Sequence, residues 1–103
     1  MDLLVRFHAD AKELSCGWLD WGDEEARRLA AALEHATAHG ALKATWLIRL
    51  EHNEIGDEGV RHLSDALARG AAPALEELDL FGNWAASDAA MKAVEVARIG
   101  RPR

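Results

Sequence analysis

The chain has 103 residues, half of them hydrophobic and 29% charged, with a formal net charge of −6. That length fits one domain, and the apolar share is too high for wholesale disorder. No apolar run reaches the roughly 18 residues of a membrane helix, and an acidic balance speaks against nucleic acid, which needs clustered Lys and Arg.

The opening, Met1-Asp2-Leu3-Leu4-Val5-Arg6, has an acidic second residue and no cleavage site, so it does not read as a secretion signal. A single cysteine, Cys16, excludes an internal disulfide and fits a reducing, cytoplasmic setting. Leu14-Ser15-Cys16 alternates as a strand does. Ala26, Leu29 and Leu33 then recur at helical spacing, with Asp23 placed to cap that helix and Gly40 to stop it. Ile48-Arg49-Leu50 predicts a second strand, followed by Asn53 and by Ile55-Gly56-Asp57. Asp57 again stands where a cap belongs, and Val60, Leu63 and Leu67 form the next helical stripe. Gly70 and Pro73 end it. Leu78-Asp79-Leu80 predicts a third strand, with Asn83 three residues on and Ser87 ready to cap a helix through Val94 and Val96. Residues 98–103 read as a basic tail.

These elements repeat. Gly22-Asp23-Glu24 and Leu29 match Gly56-Asp57-Glu58 and Leu63, while Ile48 through Asn53 match Leu78 through Asn83. Leu75-x-x-Leu78-x-Leu80-x-x-Asn83 resembles the strand of a leucine-rich repeat. With Ile55-Gly56-Asp57-Glu58-Gly59 and a full helix after it, the unit is similar to the ribonuclease-inhibitor type. NOD-like receptors and the Ran GTPase-activating protein also carry that type. The resemblance covers residues 11–97, most specifically residues 42–83. It implies an α/β fold in one domain spanning residues 1–103: a short solenoid of about three β-α units, at residues 11–41, 42–71 and 72–97. The parallel sheet would line the concave side and the helices the convex side. It also implies that Asn53 and Asn83 turn inward and hydrogen-bond loop backbone, tying each unit to its neighbour. The first unit departs from the pattern with Leu19 at the Asn position and Cys16 at an apolar one. Thr45 replaces a Leu in the second, and Trp84-Ala85-Ala86-Ser87-Asp88 breaks it in the third.

Few residues suggest chemistry. His35 and His39 have metal-ligand spacing, but Ala36 stands where the zinc-protease pattern needs Glu. Histidines near a helix end are explained by the dipole. The same dipole accounts for Glu24-Glu25 and Asp57-Glu58 at helix starts. Cys16 falls on a core-facing position, where a thiol is inert. Gly56 and Gly59 lack the flanking pattern and Lys of a phosphate loop. No catalytic residues, cofactor or metal are therefore expected, and the chain does not read as an enzyme.

A surface is left. The strand residues between the apolar ones face outward in rows: Ser15, Arg49 and Asp79, then Gly17, Glu51 and Phe81, then Trp18, His52 and Gly82. Exposed Phe81 is unusual unless something covers it, and Trp18 and Trp84 are either interface anchors or cap-fillers. Ser15, Trp18, Arg49, Glu51, His52, Asp79 and Phe81 are the candidate partner-binding residues. The expected role is a protein-protein interaction module, with a protein partner and neither nucleic acid nor membrane. The alternatives are regulation of a GTPase, or a structural piece of a longer repeat protein. Open solenoid ends add an expectation of self-association.

Overall fold

The computed structural model describes residues 12–99. The opening segment and the last four residues of the basic tail lie outside the described residues. Element order is β1 (Glu13–Ser15), α1 (Asp23–Ala38), β2 (Leu47–Arg49), α2 (Asp57–Ala68), β3 (Glu77–Asp79) and α3 (Asp88–Ile99). The strands form one parallel sheet in the order β1-β2-β3, pairing Leu14 with Ile48 and Ile48 with Leu78. Each strand is therefore followed by a helix, and α1 and α2 return the chain to the next strand. Pairing continues beyond the strands: Leu50 N–H donates to the Asp79 carbonyl and His52 N–H to that of Phe81, both at 2.7 Å.

Alternation decides which sheet face is covered. Leu14, Ile48 and Leu78 join one apolar cluster with Ala26, Leu29 and Leu33 of α1 and Val60, Leu63 and Leu67 of α2. Small residues at Gly59 and Ala26 let α1 and α2 approach closely: a Cβ on Gly59 would lie 2.9 Å from that of Ala26. Gly40 and Gly70 end the first two helices at φ values of 85° and 101°, the left-handed stop expected of them. Trp21 and Cys16 are buried, as their positions predict. Arg98 is not part of a tail. It lies in the last turn of α3, pairs with Glu95 and donates to the Glu76 carbonyl.

Two side-chain ladders cross the units. Asn53 Oδ1 accepts from the backbone N–H groups of Leu19 (2.9 Å) and Trp21 (3.0 Å), while its Nδ2 donates to the carbonyls of Cys16 and Leu50. Asn83 repeats this one unit later, accepting from Ile55 N–H and donating to the Leu50 and Leu80 carbonyls. The second ladder corrects the expected role of the aspartates. Gly22 and Gly56 occupy the N-cap positions, and Asp23 and Asp57 are the first helical residues. A side chain there points away from its own first turn, so each carboxylate serves the next unit instead. Asp23 Oδ1 accepts from Gly56 N–H at 2.7 Å and Gly59 N–H at 3.0 Å. Asp57 accepts from the backbone N–H and the hydroxyl of Ser87. Ser87 itself caps α3 as its type predicts, its Oγ accepting from Ala90 N–H.

Candidate functional site

The strand residues picked out above alternate with the core-facing ones, on the sheet face turned away from the helices. Ser15, Arg49 and Asp79 share one row by strand register. Glu51 and Phe81 lie two residues further along their strands, level with Gly17. Glu51 folds its carboxylate over Gly17, in the space that a Cβ there would fill. Its Oε2 is buried without a hydrogen-bond partner. Asp79 Oδ1 accepts from Phe81 N–H at 3.1 Å, which holds the chain where it leaves β3.

At the C-terminal ends of the strands the rings meet. Trp18 stacks on His52 with centroids 4.0 Å apart and planes 17° from parallel. His52 meets the edge of Phe81 at 5.4 Å, and Phe81 meets Trp84 at 5.6 Å. The result is a continuous aromatic ridge, Trp18–His52–Phe81–Trp84, crossing all three units. Three of its members stay open to solvent: Trp18 is 72% exposed, Phe81 65% and Trp84 79%. Backbone geometry builds it. Trp18, His52 and Gly82 occupy equivalent places, all with left-handed φ, at 58°, 55° and 83°. That conformation strains any residue but glycine by about 1–2 kcal/mol. The third unit uses glycine, because a Cβ on Gly82 would lie 2.6 Å from His52 Nδ1.

The ridge ends in a cleft of about 350 Å³ beyond β3, lined by Leu78, Leu80, Met91 and Val94 and flanked by Phe81 and Trp84. Sequence reasoning missed this cleft and left Trp84 out of the site, since neither follows from strand alternation. It also missed the row Glu13–Leu47–Glu77, which the same alternation extended backwards would have found. Glu13 and Glu77 are exposed there, but Leu47 between them is buried, outside the main core cluster.

Elsewhere the surface chemistry is ordinary. Glu24 holds a pKa below the usual carboxylate value, chiefly through its hydrogen bond from Arg27. Arg98 is raised by its hydrogen bond to Glu95 and by the charges of Glu95, Glu77 and Glu76. His35 and His39 are exposed, their rings 4.2 Å apart, and no group of three metal-binding side chains occurs among the described residues. None of the described helices is long and apolar enough to cross a membrane. Comparison with protein-family models, curated proteins and solved structures finds no match to this chain.

Proposed function

We propose that the chain is a short leucine-rich-repeat solenoid of the ribonuclease-inhibitor type, a binding protein rather than an enzyme. Its outer sheet face is the concave one and takes a protein partner. The single observation that carries this reading is the exposed aromatic ridge. Exposed apolar residues scattered singly are normal, but contiguous ones mark a surface that something covers. Aromatic residues are enriched at interface cores, where tryptophan is a frequent energetic anchor. The parallel β-α repeat, the two ladders and the recurring left-handed residues support the solenoid reading. Self-association through the open end at β3 belongs to the same proposal.

The test is capture of a partner by the full chain, followed by variants. Phe81→Ala is expected to weaken binding about tenfold or more, the scale of a truncated aromatic anchor. It leaves the fold intact, because Phe81 points away from Leu78 and Leu80. Arg61→Glu and Arg69→Glu on the helical side are expected to bind as the parent does. Loss of binding in those two variants, with Phe81→Ala unaffected, would move the site to the helices.

A further inference from the structure

The binding face has a sign as well as a shape. Glu13, Glu51, Glu77 and Asp79 lie on its outward strand positions, against one cation, Arg49. Lys12 precedes β1 on the opposite alternation, and Arg98, paired with Glu95, brings its charge near Glu77 alone of the four. Among the described residues Arg49 forms no ion pair, and no Lys or Arg lies within ion-pair distance of Glu13, Glu51 or Asp79. The contrast with the helical side is direct. There Glu24 is paired with Arg27 and Arg28, and Glu58 with Arg61. Cations stand among the helix carboxylates, whereas Glu13, Glu51 and Asp79 on the sheet have none in reach among the described residues.

The uncompensated carboxylates also adjoin the ridge. Arginine stacks on exposed aromatic faces with a favourable cation-π term while its fork meets carboxylates. Trp18, Phe81 and Trp84 offer such faces beside Glu51 and Asp79. Unmatched charge on an interface steers association and selects a partner of opposite sign.

We infer that the partner of this face presents a basic, arginine-bearing segment, whose guanidinium groups meet Glu51 and Asp79 and stack along Trp18, Phe81 and Trp84. The inference rests on the binding role proposed above and names the chemistry of its partner. Within it Arg49 sets limits. As the one cation on the face it repels a segment that is basic throughout, and it favours one with a carboxylate opposite it.

The probe is a fluorescein-labelled octa-arginine amide, titrated into the full chain and followed by anisotropy, with octa-glutamate as the opposite case. Saturable binding of octa-arginine is expected, weakening as salt shortens the screening length. Net charge alone would also attract it, so the decisive comparison reverses the same charge on two faces. Arg49→Glu is expected to tighten octa-arginine about fivefold, removing a repulsion and adding an attraction. Arg61→Glu, which makes the same change on α2, is expected to leave it unchanged. Asp79→Asn, which keeps an acceptor for Phe81 N–H, and Phe81→Ala are expected to weaken it about threefold and about tenfold. Thermal melts of each variant identify any that fail to fold. Equal tightening by Arg49→Glu and Arg61→Glu would overturn the inference, as would preference for octa-glutamate or no saturable binding. A captured partner with no basic segment, released by Phe81→Ala, would overturn it while leaving the binding role standing.

Discussion

The junction between the first two units and the free flank of the third are built from the same positions, yet they end differently. At the junction, Asn53 serves the backbone of Leu19 and Trp21, and Asp23 serves the start of α2. The strands exchange bonds from Cys16 N–H to the Arg49 carbonyl and from Trp18 N–H to that of Glu51. At the free flank the counterparts are present and idle. Among the described residues, Leu80 N–H and Gly82 N–H find no acceptor, and Asp88, the third unit's equivalent of Asp23, holds no neighbouring helix. Beyond β3 lies the apolar cleft against Met91 and Val94. On the solenoid reading proposed above, stability is a sum of units and of the interfaces between them. Equivalent residues should therefore differ in worth according to what lies beyond them.

The largest expected effects test this in the Asn ladder. Asn53→Ala strands the half-buried Leu19 N–H and the buried Trp21 N–H, polar groups whose loss of a partner costs about 1–3 kcal/mol each when buried. Asn83→Ala strands Ile55 N–H, but the Leu50 carbonyl keeps its bond from Asn53 Nδ2 at 3.1 Å. Urea denaturation is expected to show a loss of about 2–4 kcal/mol for Asn53→Ala and about 1–2 kcal/mol for Asn83→Ala. Equal losses would show that position along the array does not set the value of a rung.

This ladder was legible through the leucine-rich-repeat resemblance, which an Asn three residues after the second apolar strand position carries at Asn53 and Asn83. The strand-helix order and the covered sheet face were legible through period and spacing. The aspartates were not, because the partner of Asp23 lies a full unit away and only the packing of α1 on α2 brings Gly56 to it. The ridge was half legible. Alternation placed Phe81 on the outer face, but the stacking of Trp18 on His52 depends on left-handed backbone at both residues, which alternation does not foresee. The burial of Leu47 was invisible for a different reason, since its outward position alone predicts exposure.

Self-association at the free flank sharpens the contrast from the other side. Any association that favours the folded chain makes the melting temperature depend on concentration. For a chain of this size, a change of about 1 kcal/mol moves the midpoint by roughly 4–8 °C. Dilution over about a hundredfold is expected to lower the midpoint by several degrees, with sedimentation showing dissociation over the same range. A constant midpoint in a stable monomer would leave the flank bare in solution and remove self-association from the proposal.

The smallest effect is the sharpest test of all, because it asks for a difference between residues of one type in one structural place. Asp23, Asp57 and Asp88 each begin a helix, and each gains about 0.3 kcal/mol or more from its own helix dipole. Only the first two also satisfy N–H groups of a neighbour. Asp23→Ala frees Gly56 N–H and Gly59 N–H at the start of α2, a loss on the scale of a helix cap, about 0.5–2 kcal/mol. Asp57→Ala is expected to fall in the same range through Ser87. Asp88→Ala removes the dipole contribution alone, so in dilute monomer its denaturation midpoint should nearly match that of the parent. The difference between Asp23→Ala and Asp88→Ala then measures what a neighbouring unit adds to an aspartate at this position. Should Asp88→Ala destabilise dilute protein as much as Asp23→Ala, the carboxylate would be engaged, and the two flanks of the array would not differ as described.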